Sequence, residues 1–524
     1  MTSLTGASPQ PHPAAGPARP SNRRRLGPLG LIASLLGLGV AALLTGVVVY
    51  WAGSDTNTAG EVDFARPLVV PPLDEGTVGS DGVRRFDLRV QQGESYLGGA
   101  RPTSTWGVNG AHLGPTLRAA RGEQVAMSVD NDLPETTTLH WHGMHLPAAA
   151  DGGPHQMVPP GRTWSPSWTI KQPAATLWYH PHLHGTTAEH VYRGVAGMFI
   201  LDDPDAADGL PSRYGEDDVP LIVQDVSLDG DGQLDMSTPT FSPTGQLGDT
   251  VLVNGTPGPH LDVTAERTRL RLLNASGARV YDFGLVDADG RDHAFSLVGT
   301  DGGLIPEPQT ADRVMLSPGE RAEIVVVMRP GERLILRSHP ADLGVDPWTS
   351  RFAGGDDTLD VLELRAADEL RPSPELPAVL AAAPDLRADA ATTTRRFLLQ
   401  GRSINDRGMD MGRIDEVVTV GDTEVWEVTN DDGVPHNFHV HDVQFVVDSV
   451  DGAEPPPGLR GWKDTVYLPP GSTVRLVLRF TDYTDPDMPY MFHCHVLRHE
   501  DEGMMGQFVV VRPGESAGSP PHAH

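Results

Sequence analysis

The sequence predicts an all-β protein: three consecutive β-sandwich domains, preceded by one apolar segment of transmembrane-helix or signal-anchor length. Three observations carry this prediction. The 524 residues include 58 Gly and 47 Pro with only 21% charged residues, a composition of short strands and many turns. A pattern of alternating apolar residues followed by a turn recurs along the chain. One uncharged run, residues 29–51, stands near the N-terminus.

That run is preceded by Arg19, Arg23, Arg24 and Arg25, with no acidic residue in the first 25. As a helix it would extend roughly 35 Å, enough for a hydrocarbon core of about 30 Å. The flanking arginines place the N-terminus in the cytoplasm and everything after the span outside. An uncleaved signal anchor is expected, because the run exceeds the length usual for a signal peptide and no clean small-x-small site precedes Ser54. A cleaved signal and a secreted product is the alternative. Arg23, Arg24, Arg25 and Leu26 also loosely match a twin-arginine export signal. The organisation read from the chain is a cytoplasmic tail over 1–25, a span over 26–53 and a stalk over 54–79. Sandwiches over 80–205, 215–368 and 395–513 follow, with a proline-rich linker over 369–394 and a disordered tail over 514–524.

The sandwiches are justified by internal repetition. Residues 122–142 align without a gap on 421–441, pairing Gly122 with Gly421, Asn131 with Asn430, His140 with His439 and His142 with His441. Alternating Val125, Met127 and Val129, and Val425, Trp426 and Val428, fit half-buried strands. A Pro-Gly dipeptide before a strand occurs at Pro160, Pro318 and Pro470. The middle copy, preceded by the strand-like residues 269–274 ending in Asn274, lacks paired histidines. Chemistry is therefore expected in the outer two domains.

Four H-x-H pairs appear: His140/His142, His180/His182, His439/His441 and His493/His495. On a strand, alternate side chains share a face, so each pair aims two imidazoles at one place. A single pair is weak evidence. Four at equivalent places are not explained by packing, since burying eight imidazoles without partners would cost several kcal/mol. Imidazole alone suits several metals, and the single cysteine narrows the choice. Cys494, between His493 and His495, faces away from them and into its own domain, where His436, His499 and Met504 can join it. Two His, one Cys and a weak axial Met form the trigonal set of one-electron copper sites. An inert buried thiol would leave those three residues unexplained.

From about residue 86 to 511 the chain resembles the multicopper oxidases, in particular the three-domain bacterial laccase-like and copper-efflux oxidases. The likeness rests on the four histidine motifs and on T-W-G-V-N-G at 105–110, G-P-T-L-R at 114–118 and D-G-G-P at 151–154. It implies cupredoxin-like Greek-key sandwiches and four coppers per chain. A type 1 copper is implied on His436, Cys494 and His499 with Met504 axial, and a type 2 copper on His140 and His439. A type 3 pair is implied on His142, His180, His182, His441, His493 and His495. The implied reaction removes single electrons from a reducing substrate at the type 1 site and reduces O₂ to water at the trinuclear cluster, with Asp151 and Glu500 supplying protons. His145, His155, His184 and His190 have no ligand counterpart and read as supporting or surface residues. His260, His293 and His339 read as structural.

The net charge of −30 excludes a nucleic-acid partner. O₂ and a small donor are the expected partners, the catalytic part being a monomer tied to the membrane by its N-terminal segment. The fourteen methionines form no cluster, and Met409, Met411, Met488 and Met491 read as core residues. Phenols and aromatic amines are therefore the expected donors. A metal-ion oxidase for Cu(I) or Mn(II) is the alternative, and a non-catalytic copper-binding or structural cell-envelope protein is the alternative of another class.

Overall fold

The computed structural model describes Gly16 and residues 28–206, 208–239 and 241–521, the side chains of residues 28, 30, 31, 33 and 34 excepted. The cytoplasmic tail over 1–25, the arginines of the export signal and the terminal His522 and His524 lie outside the described residues. The chain divides into two units, residues 1–53 and 54–524.

The first unit contains the helix Pro28–Ala52, which carries no charged residue. Its stretch Leu35–Ala52 has a mean hydropathy of 2.1, long and apolar enough to cross a membrane.

The second unit holds three two-sheet sandwiches. The first pairs a six-stranded sheet built around Arg84–Ser95 and Gln124–Asn131 with a five-stranded sheet that ends on His140–His142. The middle one packs two seven-stranded sheets, and the third two five-stranded sheets. Apolar residues of the first and third sandwiches join in one buried cluster, while the middle sandwich has its own.

One device recurs in all three. The Pro-Gly dipeptides form type II turns, closed by Arg162 N–H to Pro159 O (3.1 Å), Glu320 N–H to Ser317 O (3.0 Å) and Ser472 N–H to Pro469 O (3.1 Å). The second turn position needs positive φ, which glycine supplies at 70°, 86° and 74°. Each glycine N–H then donates to the backbone carbonyl of a buried asparagine: Gly161 to Asn131, Gly319 to Asn274 and Gly471 to Asn430, at 2.8 to 2.9 Å. Each asparagine side chain bonds two further carbonyls and one N–H, Asn274 taking Arg279 O, Leu316 O and Ser276 N–H. Asn131 and Asn430 do the same with their own loops. The asparagine thus ties a strand end, its loop and the incoming turn together, replacing backbone bonds the loop cannot make.

Three expectations are corrected. Residues 54–79 are not a free stalk. Asp55 pairs with Arg351 at 2.5 Å, Thr56 N–H donates to Asp357 at 2.7 Å, and Arg66–Pro67 adds a parallel edge strand to the middle sandwich. Leu73–Asp74 and Thr77–Val78 pair within the first sandwich, which therefore begins before residue 80. Proline suits such edges, where a missing N–H breaks no ladder. The linker over 369–394 is likewise packed: the strand Leu359–Arg371 runs into it, and buried Leu380 donates its N–H to Pro306 O at 2.8 Å. In the tail, Gly518 N–H bonds Pro486 O and Ser519 N–H bonds Asp487, so residues up to 521 are held against a neighbouring loop.

Asn274→Ala tests the clamp in the sandwich that carries no histidine pair of its own. It strands three buried backbone groups, each costing about 1–3 kcal/mol, so a loss of roughly 3 kcal/mol is expected in urea unfolding of the metal-free protein. A loss below about 0.5 kcal/mol would place it among neutral surface changes and remove the clamp from the account.

Candidate metal centre

The facing strands of the outer sandwiches set the histidines opposite one another. His140 lies directly across from His180, and His439 directly across from His493. Only His140–His142 is a pair wholly within a strand. The other three straddle strand ends, correcting the expectation of four strand pairs: His180, His493 and Val440 are the last strand residues. Pro181, which has no N–H, ends the ladder between His180 and His182.

The eight imidazoles nevertheless converge where the first and third sandwiches meet. His140 stacks on His441 at a ring separation of 3.9 Å, and His142 on His439 at 3.8 Å. The Nε2 atom of His493 lies 3.0 Å from His182 Nε2 and 3.2 Å from His441 Nε2. His180 Nε2 lies 3.4 Å from both His142 Nδ1 and His495 Nε2. His140 Nε2 and His439 Nε2 are buried with no hydrogen-bond partner.

The opposite nitrogens are fastened from behind. His140 Nδ1 meets Asp151 O and His439 Nδ1 meets Asp464 O, both at 2.8 Å. His441 Nδ1 lies 2.8 Å from the Asp151 carboxylate. His493 Nδ1 is 3.2 Å and His182 Nδ1 3.5 Å from the two oxygens of Glu500. Burial, reinforced by the neighbouring imidazoles, holds His142, His439 and His441 far below their ordinary pKa. Burial brings His182 and His495 down to about 3. Burial likewise holds His180 far below its ordinary pKa, so these six rings are neutral and face a common space. Buried nitrogens without a protein partner suit a metal ion, because burying an unpaired acceptor is otherwise costly.

A second group lies in the third sandwich. Cys494 Sγ is 3.7 Å from His436 Nδ1 and 3.6 Å from His499 Nδ1, and those two nitrogens are 3.0 Å apart. All three residues are buried, as is Met504, whose backbone bonds Cys494 N–H and His499 O. Burial pushes the thiol up to about 12, so it is uncharged until a cation draws off its proton. The outer nitrogens are held by Asp432 (3.5 Å from His436 Nε2) and by Pro243 O (3.0 Å from His499 Nε2).

Every predicted site residue thus falls in one of the two groups or directly behind it. Sequence reasoning missed Asp464, whose carboxylate lies 3.0 Å from His142 Nε2, and Asn437, whose Oδ1 accepts His495 N–H at 2.6 Å and faces Cys494 Sγ at 3.5 Å. It also missed Asp432. Only Asp432 had a local signal, its four-residue offset from His436. His184 is exposed, while His145 is buried between Asp442 and Asp482, 2.7 Å from each. Of the methionines read as core, only Met491 is buried. Met409 and Met411 are half-buried loop residues, and half-buried Met488 accepts a bond from Gln156.

Comparison with known proteins agrees with this geometry. Family models described as multicopper oxidase match residues 89–206 and 373–514. The chain is 34% identical over 453 residues to "Multicopper oxidase mco" of Staphylococcus haemolyticus, covering 84% of this chain and 92% of the relative. It is 36% identical over 453 residues to "Cell division protein FtsP" of Yersinia pestis, covering 85% and 92%. Among solved structures, a laccase-like multicopper oxidase from the lignin-degrading bacterium Ochrobactrum sp. superposes with a TM-score of 0.76 at 35% identity, over 85% of this chain and all of that one. Identity at this level across nearly the whole catalytic part, together with a histidine and cysteine set that suits copper, makes the chain a copper-dependent oxidoreductase that takes O₂ and a reducing substrate, a member of the multicopper oxidase family.

Proposed function

We propose that the protein oxidises phenols or aromatic amines at a type 1 copper that His436, Cys494, His499 and Met504 would hold, and reduces O₂ at a three-copper cluster. His140 and His439 would hold the type 2 ion. His142, His180, His182, His441, His493 and His495 would hold the type 3 pair. The observation that carries this reading is the pair of bare, buried nitrogens on His140 and His439, surrounded by six more buried imidazoles. Copper at the two groups supplies one-electron transfer at the thiolate and the four-electron reduction O₂ + 4e⁻ + 4H⁺ → 2H₂O at the histidines.

The chain's own residues do the rest. Cys494 is covalently continuous with His493 and His495, so the backbone joins the two groups by the shortest route a polypeptide allows. Glu500, fully buried, touches Nδ1 of His182 and His493 from one side, while Asp151 touches Nδ1 of His441 from the other. Burial raises the Glu500 pKa, but the imidazoles of His182 and His493 outweigh it and hold the group below the carboxylate range. A proton carried on Oε1 or Oε2 would lie directly behind two rings of the histidine cluster.

The scattered methionines and the likeness to an oxidase described as acting on lignin model compounds support phenolic donors over Cu(I) or Mn(II). A second reading, a copper-holding or division-associated envelope protein, draws on the likeness to FtsP. Eight convergent histidines flanked by two buried carboxylates weigh against it, since storage needs no proton supply. The helix Pro28–Ala52 supports anchoring to a membrane with the catalytic part outside.

Steady-state O₂ uptake with phenols, aromatic amines, Cu(I) and Mn(II) decides the donor. Phenols or amines should give the highest kcat/KM, and a higher value for either metal ion would reassign the substrate class.

Cys494→Ser should abolish the blue thiolate-to-copper band and leave three coppers. Because the thiol must lose its proton while His436 and His499, their pKa lowered by burial, are already neutral, copper affinity at this site should rise about tenfold per pH unit between pH 6 and 8. A pH-independent affinity would show that the thiol is not the ligand.

Glu500→Gln should keep four coppers, the blue band and the rate of copper reduction by donor, while reoxidation by O₂ slows at least about tenfold. Parent-like reoxidation in a spectroscopically intact variant would make Glu500 a bystander.

A further inference from the structure

The middle sandwich carries no histidine pair, yet its Pro-Gly turn occupies a place unlike those of the other two. A side chain at Gly161 or Gly471 would meet open space, whereas one at Gly319 would meet the His495 ring at 3.1 Å. Pro318 O accepts Asn437 Nδ2 at 2.9 Å, and Asn437 in turn holds the His495 backbone. The turn in the middle sandwich is therefore seated against the histidine cluster.

The strand that follows begins with Arg321, which is fully buried. Its five N–H groups meet five acceptors: Nε to Thr176 O (3.0 Å), Nη1 to Gly319 O (3.0 Å) and Asp464 Oδ1 (2.7 Å), and Nη2 to Asp301 O (2.8 Å) and Asp464 Oδ2 (2.6 Å). These partners come from all three sandwiches. The fork grips both oxygens of Asp464 and fixes the plane of that carboxylate. Asp464 Oδ1 then lies 3.0 Å from His142 Nε2.

His142 differs from the other type 3 histidines in the direction it faces. Its Nδ1 approaches His180 Nε2, while its Nε2 points to Asp464. A neutral imidazole has one N–H and one lone pair. With a carboxylate accepting at Nε2, the hydrogen sits there and the lone pair at Nδ1 faces the cluster.

We propose that Arg321 is a positioning residue of the trinuclear site: through Asp464 it fixes the orientation and tautomer of His142, making the ligand-free middle sandwich a third contributor to the cluster. This rests on the four-copper reading above.

The test uses the copper-loaded full chain and its Arg321→Met, Arg321→Lys, Asp464→Asn and Arg321→Met/Asp464→Asn variants. Copper affinity, the blue band and the spectra of the type 2 and type 3 ions are measured alongside thermal unfolding. Arg321→Met should keep the blue band and lose roughly 10- to 100-fold in copper affinity at the trinuclear site, with altered type 2 and type 3 spectra. Arg321→Lys, with a point charge in place of a fork, should fall between Arg321→Met and the parent. The double variant should bind no more weakly than Arg321→Met, because both changes break one chain of contacts. Parent-like affinity and spectra in Arg321→Met, even with a lowered Tm, would show that Arg321 only cements the domains and would overturn the proposal. Additive losses in the double variant would overturn it too. If Arg321→Met does not fold, the double variant, which leaves no unpaired buried charge, is compared with Asp464→Asn: equal affinities support the proposal and a further tenfold loss refutes it. A parent protein that takes up fewer than four coppers would instead overturn the four-copper reading itself.

Discussion

Eight imidazoles buried at the meeting of two sandwiches are the constraint on which the rest of the structure depends. The inward nitrogens meet one another or, on His140 and His439, no partner at all, so much of the positioning falls to the nitrogens that face away. Backbone carbonyls of Asp151, Pro181 and Asp464 and the carboxylates of Asp151, Glu500 and Asp464 hold these. Burial keeps six of the rings uncharged, so the same desolvation that makes the arrangement costly without metal makes it ready for one.

The repeated asparagine and Pro-Gly turn show how a duplicated scaffold can hold such a site. In the outer sandwiches the device closes solvent-facing turns at Gly161 and Gly471. In the middle one the same bonds are kept, while the turn is buried against His495 and delivers Arg321 inward. The middle repeat, which has no histidine pair, keeps the same turn geometry.

The all-β class, the three repeats, the four pairs and the Cys494 group were legible because each leaves a local trace: alternation, a fixed dipeptide, or two histidines two residues apart. Asp464, Asn437 and Arg321 leave none. Asp464 reaches His142 across 322 positions in the sequence, and a lone acid just before a strand says nothing of what lies opposite it. Residues 54–79 and 369–394 misled for a related reason. Proline and glycine disfavour a central strand equally in a loose tether and in an edge strap, and the partner that decides between them lies elsewhere in the chain. Three of the four pairs run past their strand ends, because convergence requires only that rings meet, not that the ladder continue.

The strap over residues 54–79 has a consequence for how the protein can be delivered. Its bonds to Arg351, Asp357 and the Pro259–Ala265 strand begin at Asp55, three residues after the apolar helix ends at Ala52. A protease cutting at Gly53 would find no trailing segment to digest and would leave every strand of the sandwiches paired. Anchored and released forms would then share one catalytic body, so shedding would change where the enzyme works without changing what it does.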